Sequence, residues 1–304
     1  MAQRLYLVDT LYHIFRAYHA LPSSMRSESG QQTNAVHGVL GILRNLWKTS
    51  QVSHLGMVFE SLSGIFREEI SPTYKAHREP PPEGLVSQIP LVKEGCQRLG
   101  LSTWEVDRFE ADDVIGTLTK LAVEAGVGVT IVSNDKDLAQ LLALPGDVEI
   151  LRTSGSGKNA TVERLRAEDV PRVFGVRADQ IASYLALRGD AVDNIAGLKG
   201  VGAKTAAKWL AESGDLEGLL ANPDIGGKRW SSVIAENESG LRRDLVLSTI
   251  RTDIPMSFAL TDFEPKPFDG IEEFFTRLGM KRHLSEVESL LPPATVDTLW
   301  GAIS

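Results

Sequence analysis

Short, wholly apolar runs alternate along this chain with longer stretches whose apolar residues recur every three to four positions. Residues 4–9 (RLYLVD), 55–60 (LGMVFE), 128–133 (GVTIVS) and 147–152 (DVEILR) read as buried strands, because they are brief, aliphatic and lack an alternating polar face. Helical spacing covers 35–48, 85–99 and 110–125 between them. This alternation predicts an α/β fold, a mainly parallel sheet flanked by helices on both faces. Ligands of such sheets bind beyond the C-terminal ends of the strands. Asp9, Glu60 and Asp135 are expected at that edge.

After the polar stretch TSGSGKNAT (153–161) the pattern turns helical, over 177–187, 203–213, 231–237 and 240–250. An extended, Pro-punctuated segment (253–268) and two short amphipathic helices (270–279 and 282–291) follow. The expected division is an α/β domain over 1–165 and a helical domain over 166–304. The single cysteine, Cys96, excludes an internal disulfide and fits a reducing compartment. No apolar stretch is long enough for a bilayer and the N-terminus lacks a secretory pattern, so the expected location is cytoplasmic.

The net charge of −8 argues at first against a nucleic-acid partner. Nine of the acids, however, fall in five compact places: Asp9; Glu60; Glu110, Asp112 and Asp113; Asp135 and Asp137; Asp190 and Asp193. Without these nine the chain is close to neutral. Converging carboxylates raise one another's pKa unless a cation neutralises them. All-oxygen donors suit hard ions such as Mg²⁺ or Mn²⁺. EADDVIG (110–116) could simply cap a helix, but three acids exceed what capping needs. In NDKD (134–137) an extended backbone would send Asp135 and Asp137 the same way.

RGDAVDNIAGLKGVGAKTAAKWL (188–210) is the most specific segment. It joins an acidic turn to a helix–loop–helix whose Gly200 and Gly202 permit close backbone approach. Amides at the start of the next helix, with Thr205 and the cations Lys199, Lys204 and Lys208, suit a phosphodiester backbone. Residues 65–85 place Arg67, Tyr74, Lys75 and Arg78 in a Pro-rich stretch without buried periodicity. It reads as a mobile element over the site, with cations for a scissile phosphate and Tyr74 to stack on a base. Arg16, after Asp9, could serve likewise or pair with an acid. The histidines show no metal spacing with each other or with Cys96.

The ordered runs LVDTLYHIFRAYHALP, VFE…FREEISPTYKAHR, FEADDVIGTL, IVSNDKDLAQLL and LALRGDAVDNIAGLKGVGAKTAAKWL resemble the bacterial 5′-3′ exonuclease and flap endonuclease family, from about residue 4 to about 290. That family comprises the N-terminal nuclease domain of DNA polymerase I and stand-alone homologues. The resemblance implies a PIN-like (resolvase-like) nuclease domain with a helical arch at about 65–90, and a C-terminal helix–three-turn–helix module of helix-hairpin-helix type. It implies hydrolysis of branched or nicked DNA and RNA primers with two divalent ions per site, in replication and repair. One ion would be held by Asp9, Glu110 and Asp112 with Glu60, the second by Asp135, Asp137, Asp190 and Asp193, with Asp113 between. Carbonyls around Leu198–Val201 would take K⁺. Lys75, Arg78, Arg67, Tyr74 and Arg16 would act on the phosphate or flap. The expected protein is a nucleoid-associated monomer, stand-alone or excised from a polymerase, with a polymerase domain or a clamp as partner. Glu60 stands where the family usually has Asp. A PIN-like RNase is the rival within the class, though it would lack the GLKGVGAKT hairpin. A catalytically silent DNA-binding module is the rival outside it, though it would not need nine acids.

Overall fold

The computed structural model describes residues 3–61, 63–154, 161–267 and 269–285. Six strands build one sheet: β1 (Arg4–Asp9), β2 (His54–Val58), β3 (Ser102–Trp104), β4 (Gly128–Val132), β5 (Val148–Ser154) and β6 (Thr161–Leu165). Their spatial order is β3-β2-β1-β4-β5-β6. All neighbours are parallel except β6, which runs antiparallel to β5. α1 (Thr10–Ala20), α2 (Asn34–Thr49), α3 (Phe66–Ile70), α4 (Glu83–Val86), α5 (Ile89–Arg98) and α6 (Ala111–Glu124) connect the first four strands. A 3₁₀ helix, Asp137–Ala143, leads from β4 to β5.

Strand periodicity splits β1 between two cores. Leu5 and Leu7 enter the core of one face with Val114, Ile115 and Leu118 of α6. Tyr6 and Val8 enter the other with Leu43 of α2 and Met57 of β2. Beyond the sheet come α7 (Val170–Phe174), α8 (Ile181–Arg188), α9 (Ala203–Ser213), α10 (Leu216–Ala221), α11 (Ser231–Glu236), α12 (Glu238–Ser248), α13 (Ile271–Arg277) and α14 (Lys281–Ser285). Tyr184 and Leu187 of α8 and Trp209 of α9 extend the first core without a break, while Phe274 and Phe275 of α13 return to the second. Packing therefore continues across the division read from the sequence at 165/166.

Several elements differ from the sequence reading. The second strand stops at Val58, which leaves Glu60 two residues past its end. The expected helix 85–99 is two helices, broken around Gln88. That fully buried side chain accepts from Ala35 N–H at 2.8 Å and donates to Gly84 O at 2.8 Å. Both ends of the polar stretch 153–161 belong to the sheet, since β5 runs into it and β6 leaves it; residues 155–160 lie outside the described residues. The last expected helix is seen as α14, and 286–291 lie outside them too. No helix among the described residues is long and apolar enough to cross a membrane.

Candidate active site

Parallel pairing brings the ends of β1, β2 and β4 to one edge of the sheet, and the acids gather there. Asp9 ends β1 and caps α1 by accepting from Tyr12 N–H at 3.2 Å. Its other oxygen accepts from Ser133 Oγ at 2.7 Å. Ser133 Oγ in turn accepts from Asp135 N–H at 3.0 Å, so one buried hydroxyl joins the end of β1 to the turn after β4. The sequence reading missed Ser133. Its only signal was a small hydroxyl residue between a strand and an acidic turn.

Burial pushes the Asp9 carboxyl up to about 6, with the charge of Asp135 adding and Ser133 and Tyr12 N–H opposing. Burial carries Glu60 to about 7, although Lys75 pulls it down. Asp112 stands well above the ordinary range because of burial and then the charges of Asp135, Asp9 and Glu110. Among the described residues Asp112 accepts no hydrogen bond, so its carboxylate faces its acidic neighbours uncommitted. These acids are costly to ionise together, and a bound cation is the group that would relieve them.

Glu110 and Asp113 are already engaged. Arg67 grips both oxygens of Asp113 at 2.6 and 2.8 Å and Glu110 Oε2 at 2.8 Å. It also donates to Leu247 O at 3.0 Å and Thr249 O at 2.8 Å. Asp113 further accepts from Arg251 N–H at 2.8 Å and from Glu110 N–H at 3.3 Å. At 0% exposure, both oxygens of Asp113 are occupied by these donors. Asp113 buries and orients Arg67, and it satisfies the start of α6 as a cap does.

The segment from α3 onward, read from the sequence as a mobile element over the site, packs Arg67 and Tyr74 inward in this structure. Arg67 is 2% exposed and Tyr74 4%, so both side chains are buried rather than presented to solvent. Tyr74 instead donates its hydroxyl to Glu110 at 3.2 Å and lies 3.4 Å from Asp193. The loop is sewn to the turn that follows α8. Lys75 N–H reaches Asp193 O at 3.1 Å, Asn194 Nδ2 reaches Thr73 O at 2.7 Å, and Arg78 Nε reaches Val192 O at 3.2 Å. Lys75 adopts φ 54°, a left-handed backbone that costs a residue with a Cβ and is maintained here by those bonds. The result aims Lys75 Nζ at Glu110 and Arg78 at Asp193, one cation against each acid set. Arg16 turns to Thr153 Oγ1 at the end of β5.

The second set is the tighter one. Among the described residues, Asp137, Asp190 and Asp193 form the one group whose carboxylate oxygens lie within 4.8 Å of one another. Asp135 braces it, accepting from Asp137 N–H at 2.9 Å. Burial and then the charge of Asp135 raise Asp137 to about 6. Burial works against the charge on Asp190 too, but Lys136 and Val192 N–H hold it below its usual range. An all-oxygen group, two of whose three members are buried, fits a hard divalent ion, and Lys136 Nζ now lies against Asp137 Oδ1 and Asp190 Oδ2 in its place.

Beside this set, α8 and α9 form the hairpin. Gly189 (φ 76°) and Gly197 (φ 62°) pack so closely that a Cβ on Gly197 would lie 2.2 Å from Gly189 N. Asp244 of α12, buried, accepts from Gly197 N–H at 2.9 Å and anchors the loop. Gly202 is different: its backbone is extended and a Cβ would meet nothing within 4 Å. The fold does not require glycine there, which leaves that face open to a close outside approach. Lys199, Gly200, Gly202, Lys204 and Lys208 are exposed and Thr205 is half-buried.

Residues 4–175 match the family described as 5′-3′ exonuclease, N-terminal resolvase-like domain, and residues 176–270 match 5′-3′ exonuclease, C-terminal SAM fold. DNA polymerase I of Rhizobium leguminosarum is 35% identical over 98% of this chain, and that of Bacillus caldotenax 31% over 95%. The chain spans only 30% and 33% of those relatives' lengths. Among solved structures, T5 5′-exonuclease with bound zinc shares the fold with a TM-score of 0.67 at 22% identity, covering 82% of this chain and 90% of that one. Matched in order over both halves, the chain belongs to the 5′-3′ exonuclease family.

Proposed function

We propose that this chain hydrolyses phosphodiesters of branched DNA as a structure-specific 5′ nuclease, acting on 5′ flaps, nicked duplexes and RNA-primed ends. The observation that carries this reading is the pairing of two acid sets, each faced by a cation of one loop, beside an open glycine-rich hairpin. Asp9, Asp112 and Glu110, with Glu60, would hold one divalent ion, and Asp135, Asp137, Asp190 and Asp193 the other. Such ions, Mg²⁺ or Mn²⁺, supply an activated water and neutralise the phosphate and the leaving oxygen. Asp113 drops out of the ligand set and becomes the residue that orients Arg67.

Lys75 and Arg78 neutralise charge on the phosphoryl group once the acids they now face are engaged elsewhere. Ser133 keeps the Asp9 carboxylate and the Asp135 turn in register. Lys199, Lys204, Thr205 and Lys208, with amides at the start of α9, grip the duplex backbone without reading bases. Carbonyls around Leu198–Val201 would hold K⁺ against that backbone, and a polymerase domain or clamp would deliver the substrate to this nuclease in the cytoplasm.

The test is a 5′-labelled flap duplex incubated with Mg²⁺ or with EDTA, beside a blunt duplex of the same sequence. The reading expects cutting near the branch that needs the ion and is much faster than on the blunt duplex. Cutting that is equal on both, or indifferent to EDTA, would sink it.

A further inference from the structure

Lys136 lies inside the tighter acid set, and neither the acids' roles nor the DNA contacts account for it. Its Nζ is 2.6 Å from Asp190 Oδ2 and 3.1 Å from Asp137 Oδ1. Apart from this ion pair, those two buried oxygens have no hydrogen-bond partner. Asp190 spends its other oxygen on Val192 N–H at 2.9 Å. Asp137 and Asp190 are two of the three residues whose oxygens could share one ion. The ammonium thus occupies the acids that a divalent ion would need. Asp137 follows β4 and Asp190 lies between α8 and α9, so the same ammonium also ties the sheet to the helical part. The Lys136 side chain is 36% exposed, which leaves it a path out to solvent.

We propose that Lys136 is a resident counter-cation of the second ion site, holding Asp137 and Asp190 together until a divalent ion displaces it. The proposal rests on the reading of that acid set as an ion site. Two cations cannot share the same pair of carboxylates without strong repulsion, so displacement must oppose ion binding. The lysine therefore sets a threshold, and the second site fills only at an ion concentration high enough to displace the ammonium. It also spares the empty set from mutual repulsion, which keeps the sheet and hairpin in register before ions arrive.

The test is calorimetric titration of the whole chain with Mn²⁺, without DNA, for the wild type, Lys136→Met, Lys136→Arg and Asp190→Asn. Asp190→Asn identifies which class of bound ion belongs to the second site. That class should bind about tenfold more tightly in Lys136→Met, as expected for removing one partly screened competing charge. It should keep its wild-type affinity in Lys136→Arg. Without metal, the unfolding midpoint of Lys136→Met should fall below that of the wild type. Unchanged or weaker Mn²⁺ binding in Lys136→Met, with a class still lost in Asp190→Asn, overturns the counter-cation role alone. Full wild-type stoichiometry in Asp190→Asn removes the ion site itself, and the proposal goes with it.

Discussion

Asp112→Asn should lose flap cleavage by on the order of 10³-fold or more while binding the flap within about threefold of wild type, a loss of roughly 4 kcal/mol or more in transition-state stabilisation. The substitution is a clean one structurally. Among the described residues Asp112 accepts no hydrogen bond, and burial and then the charges of Asp135, Asp9 and Glu110 make its ionised form unfavourable. Its carboxyl titrates above the unfolded value, so at neutral pH ionisation weakens the metal-free fold rather than strengthening it. The neutral amide should therefore leave the metal-free unfolding midpoint unchanged or raise it. Single-turnover cleavage and flap binding measured on one preparation separate the two effects. Cleavage within tenfold of wild type would remove Asp112 from the site.

Arg67→Gln should have the largest effect on stability. The guanidinium is buried with Asp113 and Glu110 and closes two carbonyls at the C-terminal end of α12, at Leu247 and Thr249. Removing it leaves a fully buried carboxylate uncompensated, a loss of about 3–5 kcal/mol. For a chain of this size the unfolding midpoint should fall by roughly 10 °C. Arg78→Gln is the control, because that side chain is 47% exposed and its pair with Asp193 should contribute at most about 1 kcal/mol. The double change Arg67→Gln with Asp113→Asn should recover part of the loss, since it removes both charges at once. If Arg67→Gln unfolds with the wild type and only cleavage suffers, then Arg67 touches the phosphate, as the sequence alone suggested.

What the sequence made legible follows from what determines each feature. The runs at 4–9, 128–133 and 147–152 are visible because buried parallel strands must be apolar on both faces, and strand direction alone puts Asp9 and Asp135 on one edge. β3 was missed because three half-buried residues carry no pattern, and β6 because four of its five residues are exposed. Asp112 and Asp113 are neighbours of one type, yet one faces the acids and the other Arg67. That difference is set by partners about 46 and 138 residues distant along the chain, at Arg67 and Arg251. Arg67 itself looked like a surface cation, since its carbonyl partners lie some 180 residues away at Leu247 and Thr249. The burial of Tyr74 was hidden for the same reason: it depends on Glu110 and on Asp193, in the turn after α8.

Anomalous diffraction from crystals soaked in Mn²⁺, without DNA, would locate the ions of the two acid sets. Two peaks are expected, one bounded by Asp9, Glu110 and Asp112 and one by Asp137, Asp190 and Asp193, the second with Lys136 Nζ moved away. A single peak, or peaks away from both acid sets, would contradict the two-ion assignment.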